Sequence, residues 1–235
     1  METILNKKPK KVTIIEGFPG FGLVSTIACE FLIDHLKTEQ IGKIAFEELA
    51  PMVAIHESKV VDPLGIFYSK EYNLVIVHAV TASQGKEWKL AEVILDLAKT
   101  LEAKEIISLE GVGGGKIVGE PKTFYYASDK KSESKFKEIG MEPLKEGIIM
   151  GVTGAILTKQ GIPLNCIFSE AHSNLPDSKA AAKIIEMLDK YLGLKVDYKP
   201  LLKQAEKFET KLQGLLEKSQ QAQEMSDKKK LSYVG

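Results

Sequence analysis

Arginine is absent from this chain: all 32 basic residues are lysines, and they are balanced by 32 aspartates and glutamates. Bidentate recognition of phosphates and guanine edges relies on the planar guanidinium fork. Nucleic-acid binding is therefore disfavoured, although lysine still attracts phosphate as a point charge. Cysteine is scarce too. Cys29 and Cys166 both lie in apolar runs, so they read as buried free thiols of a reducing compartment rather than as a disulfide. No apolar run approaches the ~18 residues of a membrane span. The opening METILNKKPKK also lacks the apolar core of a signal peptide. The expectation is a soluble, cytoplasmic protein without membrane contact. At 235 residues one domain with an appendage is the natural organisation.

The stretch over residues 12–36 organises what is present. An apolar run at 12–15 reads as a buried strand, and Gly17, Pro19, Gly20 and Gly22 supply turn chemistry. Leu23, Ile27 and Phe31 then recur at helical spacing. Strand, glycine turn and helix form the opening unit of an α/β domain, and ligands often sit at such a turn. A nucleotide does not fit here. The glycine order is G-x-x-G-x-G rather than the dinucleotide fingerprint, and Leu23 stands where a phosphate loop needs lysine. Pro19 removes an amide donor as well. A tight structural corner is the stronger reading.

Further along, short strands are expected over 41–46 and 53–56, followed by a hairpin over 64–68 and 74–80. Gly85 starts a helix whose apolar face holds Trp88, Ala91, Val93, Ile94, Leu97, Ala98 and Leu101. A strand over 105–109 runs into Gly111, Gly113, Gly114 and Gly115 with Lys116. That segment reads as a flexible surface loop in preference to an anion cradle. Strand 123–127, a charged helix over 130–139, a short helix from Ala155, strand 166–169 and a helix from Pro176 through Leu192 complete the core. Strands alternating with helices predict a single α/β domain over residues 1–195, with a mixed, mostly parallel sheet covered by helices on both faces. No internal repeat is evident.

Composition changes at Lys199. Leu201, Ala205, Phe208, Leu212 and Leu215 form a heptad-like seam in an amphipathic helix over residues 196–225. That helix either packs back on its own domain or faces another subunit or a partner. Residues 226–235 are a polar, basic, mobile tail. The tail ends with Leu231, Tyr233 and Val234 before Gly235, and no intramolecular role accounts for these apolar residues.

Three glutamates stand at expected carboxyl ends of strands: Glu16, Glu110 and Glu170. In an open parallel sheet those ends converge on the ligand-binding edge, so these residues are the candidate small-molecule or hydrolytic site. His172 lies close to Glu170 in sequence, which makes a carboxylate–imidazole pair conceivable. His56 and His78 lie in apolar runs and read as hydrogen-bonded core residues. No metal-ligand spacing and no nucleophile elbow is present, and no cofactor is expected.

Four features together, EGFPGFGLVSTIA, LEGVGGG, GVTGAIL and the late helix, resemble the archaeal proteasome assembly chaperone family over roughly residues 10–195. The resemblance implies an α/β domain similar in topology to nucleoside phosphorylases but lacking their catalytic residues. It implies homo-oligomers and a non-enzymatic association with the proteasome core particle at its α-ring, as an assembly factor or activator-like partner. Related binders carry a C-terminal hydrophobic–tyrosine–any tripeptide. The corresponding tail here would be Leu231, Tyr233, Val234 and Gly235, with tyrosine one position early. Co-assembly with a paralogue as a structural subunit is the further alternative.

Overall fold

A computed structural model of the chain describes residues 1–46, 53–56, 59–80, 85–113, 120–159, 161–172, 176–203, 211, 214 and 217–218. Its strands are β1 (Glu2–Leu5), β2 (Thr13–Gly17), β3 (Glu39–Ala45), β4 (Ala54–His56), β5 (Lys59–Val61), β6 (Leu64–Ser69), β7 (Leu74–Ala79), β8 (Glu105–Gly113), β9 (Thr123–Ala127), β10 (Glu142–Pro143) and β11 (Leu164–Ala171). Its helices are α1 (Val24–His35), α2 (Glu87–Thr100), α3 (Lys130–Glu138), α4 (Gly151–Leu157) and α5 (Ser178–Leu192). Nine strands form one mixed sheet in the order β1-β3-β6-β7-β2-β8-β11-β9-β10, and β4 and β5 pair separately.

The four central strands, β7-β2-β8-β11, are mutually parallel. The antiparallel pairings lie on the flanks: β1, β3, β6 and β7 on one side and β11 with β9 on the other. The central strands are near-continuous apolar runs because both of their faces are covered. On β2, Ile14 and Ile15 are both fully buried, yet they enter opposite cores. Ile15 packs with α1, α3 and α5, whereas Ile14 packs with α2 and α4.

Three segments depart from the sequence reading. The glycine-rich end of LEGVGGG is not irregular at its start: Gly111 to Gly113 continue β8 and pair with β11 through Ala171. A Cβ on Gly111 would lie 2.1 Å from the Phe21 carbonyl oxygen. Glycine is therefore needed for the first loop to rest against the strand; Gly114, Gly115 and Lys116 lie outside the described residues. The second departure is α4, which begins at Gly151 rather than at Ala155. Two glycines make it a poor helix former in isolation, but Val152, Ala155 and Ile156 are buried in the core shared with α2. Tertiary packing overrides propensity there. Third, Trp88 does not face inward. It is 57% exposed, with the Lys159 ammonium 5.7 Å from its ring centroid.

Three strands that the reading passed over, β1, β10 and β5, lie at the two edges of the large sheet and in the small separate sheet. The expected free thiols are both buried and unpaired. Helical backbone recurs at residues 199–203, 211, 214 and 217–218. Leu201, the first residue of the heptad-like seam, is fully buried in the core of its own domain, on the α1 and α5 side, as the packing-back alternative has it. It packs inward because its apolar side chain completes that core. Lys211 reinforces the same docking through a 2.7 Å ion pair with Glu30 on α1. Ala205, Phe208, Leu212 and Leu215 lie outside the described residues, as do Leu231, Tyr233, Val234 and Gly235 of the tail. No described helix is long and apolar enough to cross a membrane.

Candidate functional site

The carboxyl ends of the parallel strands meet above the first glycine turn. Phe21–Leu23 makes one tight helical turn there, with Gly22 at φ 61° and Leu23 at φ 50° before α1 begins. Gly22 supplies a left-handed conformation that a side chain would resist. The loop is locked from behind by the Ser25 hydroxyl, which donates to the Phe18 carbonyl at 2.9 Å.

Side chains alternate across a strand, so period two decides which glutamates can meet. Glu16 falls two residues after Ile14, Glu110 four after Ile106, and Glu170 six after Leu164. All three therefore face the side covered by α2 and α4. Register separates them along the strands. Glu16 stands opposite Ser108, Phe168 opposite Glu110, and Glu170 opposite Val112. The three acids thus form a staircase, one pleat per step, rising from the core to the sheet edge.

Its two lower steps are joined by Thr153 of α4. The threonine hydroxyl lies 3.0 Å from Oε1 of Glu16 and 2.7 Å from Oε1 of Glu110, and Ser108 donates a short hydrogen bond to the same Glu16 oxygen. Thr153 and Glu16 are fully buried. Oε2 of Glu16 is buried without a partner among the described residues. Burial pushes the Glu16 carboxyl up to about 7, against the hydrogen bonds from Ser108 and Thr153. Burial, and then the charge of Glu16, pushes Glu110 up to about 8. A hydroxyl carries one proton and two lone pairs. Both carboxyls can hydrogen-bond Thr153 together only when one of them holds a proton, so near neutral pH the pair shares at least one.

Glu170 does not join them. Its Oε2 accepts from the Lys122 amide at 3.1 Å. His172 does not pair with it either: its Nδ1 lies 2.7 Å from Oδ2 of Asp177. His78 is buried, 3.5 Å from Glu30, and burial lowers its pKa, which favours the neutral ring of a core histidine. The side chain of His56 lies outside the described residues. Among the described residues, no three His, Cys, Asp or Glu side chains are grouped to hold a metal ion.

Above the pair opens a cavity of about 670 Å³. Glu110 and Glu170 line it together with Gly20 and Phe21 from the first loop, Gly111 and Gly113 from β8, Phe124 from β9, and Leu144 with residues 146–152. Glu87 and Glu146 add two more carboxylates. Sequence reasoning found Glu16 and Glu110 but missed Thr153, which bridges them. No spacing in GVTGAIL marks that threonine, because its partners are 137 and 43 residues away. Glu146 and Glu87 were missed for the same reason: the segment before α4 brings Glu146 to the cavity and the first turn of α2 brings Glu87.

The chain matches the PAC2 family profile over residues 14–216. Its backbone is similar to that of Pyrococcus furiosus PbaA, an archaeal homolog of proteasome-assembly chaperone, with a TM-score of 0.85 and 30% identity over 94% of this chain and 98% of that one. It is also similar to Pyrococcus furiosus PbaB, an archaeal proteasome activator, with a TM-score of 0.74 and 25% identity over 91% and 97% of the two chains. Protein MJ0106 of Methanocaldococcus jannaschii is 27% identical over 224 residues, covering 94% of this chain and 92% of that protein. With a family match of that extent and a shared backbone from end to end, the chain belongs to the PAC2 family.

Proposed function

We propose that this protein acts in proteasome assembly or activation by associating with the core particle, as a protein–protein partner rather than as an enzyme. The observation that carries the reading is the likeness to PbaA over nearly the whole of both chains. The likeness to PbaB, described as a proteasome activator, points to the same machinery. In this reading the α/β domain is an oligomeric body, with copies of itself or a paralogue as neighbours. The segment after Lys230 reaches the α-ring of the core particle. Tyr233, flanked by Leu231 and Val234, is the aromatic anchor, and display on several subunits adds avidity. Burial of Leu201 and the Lys211–Glu30 pair supports a root for that segment fixed on α1.

Co-sedimentation with purified core particle tests the reading, comparing the full chain with a chain ending at Lys230. Binding by the full chain and its loss on truncation is the expected result. Equal binding by both removes the tail from the mechanism, and binding by neither rejects the proteasome role.

A further inference from the structure

The cavity above Glu110 has no part in the proteasome reading, and its chemistry points elsewhere. At about 670 Å³ it is the size of a small-molecule site. Four carboxyl-bearing residues line it, Glu87, Glu110, Glu146 and Glu170, and no lysine or histidine lies among its described lining residues. In a chain with 32 lysines that imbalance is specific to this wall. Apolar surface from Phe21 and Phe124 completes it.

The Glu110 carboxyl is placed to receive a ligand. Its Oε1 is held by Thr153, while its Oε2 lies 3.1 Å from where a Cβ on Gly20 would be. Glycine at that position places no side chain of its own against the oxygen. Beneath it, fully buried Glu16 keeps an oxygen without a partner among the described residues. Glu110 lines the cavity and Glu16 lies buried next to it, and no positive charge among the described residues acts on either; a buried acid is costly to ionise unless a positive charge answers it. A metal ion is a poor candidate, since no three donors converge among the described residues.

We infer that this cavity binds a small organic cation, a primary ammonium group on an apolar body, with the ammonium on Oε2 of Glu110 and the body against Phe21 and Phe124. The ammonium donates to Glu110, and the two phenyl faces suit a cation with an apolar stem. Binding ionises Glu110 and releases the proton it carries, while Glu16 keeps the one that the two Thr153 hydrogen bonds require. The titratable groups around that pair are the Cys29 and Cys166 thiols, both held protonated by burial and by the glutamate charges, and the wall carboxylates Glu87, Glu146 and Glu170. Glu110, the carboxyl that the ammonium meets, is the source of the proton.

Isothermal titration calorimetry of the full chain near neutral pH, in two buffers of different ionisation enthalpy, tests this. The probes are 2-phenylethylamine and its neutral analogue 2-phenylethanol. The amine is expected to bind roughly tenfold or more tightly than the alcohol, the scale of a charge-assisted hydrogen bond, and to release protons. E110Q is expected to abolish that preference. E146Q, altering an exposed residue at the wall, is expected to weaken amine binding less while leaving the fold intact. Equal affinity for amine and alcohol, no heat with the amine, or amine binding unchanged in a folded E110Q protein would each overturn the inference. None of these outcomes bears on co-sedimentation with the core particle, so the two readings fail separately.

Discussion

The carbonyl oxygen of Phe21 occupies the space that a Cβ on Gly111 would need, 2.1 Å from its ideal position. The first loop and the end of β8 thus touch backbone to backbone, and that contact holds the loop over the strand edge. Gly111→Ala must push the loop away. Overpacking of this kind costs about 1–3 kcal/mol, sometimes more. Urea unfolding of G111A should show a lowered midpoint, and the displaced loop should also open the wall beside Glu110. An unchanged midpoint would mean that the loop yields freely.

Glu16 and Glu110 make stability depend on pH. Both carboxyls are raised when folded, to about 7 and about 8, from an ordinary value of 4.5. Between those limits the folded chain holds more protons than the unfolded chain, so stability falls as pH rises through the window. The loss is expected to be on the order of a few kcal/mol between about pH 5 and pH 9. Glu16→Gln, which cannot ionise, should flatten the decline. Urea midpoints measured across the window, wild type against E16Q, decide it: parallel curves would show that the buried acid costs nothing to ionise.

Asp177 ties three elements together. Its Oδ1 accepts from the Ala180 amide at 3.0 Å and so caps α5, while its Oδ2 accepts from the His172 amide at 3.2 Å. Its own amide donates to the Gly22 carbonyl at 2.8 Å. Asp177→Ala removes the cap and the link to the end of β11, and should cost about 1–2 kcal/mol. Asp177→Asn keeps an acceptor for the cap and should recover part of that loss. Thermal unfolding of the two variants separates the contributions.

The two cysteines offer a probe of opening. Cys29 and Cys166 are fully buried, and burial, followed by the charge of Glu16, pushes both thiols up. Neither should react with a thiol reagent in the native chain except through opening. The rate should be at least roughly a hundredfold below that in denaturant, as for a local opening of about 3 kcal/mol. Fast release of one thiol from native protein would place it in a segment that opens readily.

Local pattern alone determined much of this protein. The apolar run before Gly17, the two apolar runs of the β6–β7 hairpin, the charged α3 and the Gly193-ended α5 are each specified by a short local stretch, because strand and helix patterns are local properties of the chain. The placement of Glu16 near the end of its strand was readable for the same reason, whereas Glu110 lies inside β8, which continues through Gly113. Tertiary structure decided the rest. Alternation puts all three glutamates on one face, but inter-strand register sets which of them meet, and register belongs to pairs of strands far apart in sequence. Thr153 bridges two of them because α4 forms over two glycines against α2, a helix that propensity alone disfavours. The first loop returns with a changed part: Gly20 and Gly111 let backbone replace side chain beside the Glu110 carboxyl. That close approach is a property of packed backbones, and no reading of residues in order contains it.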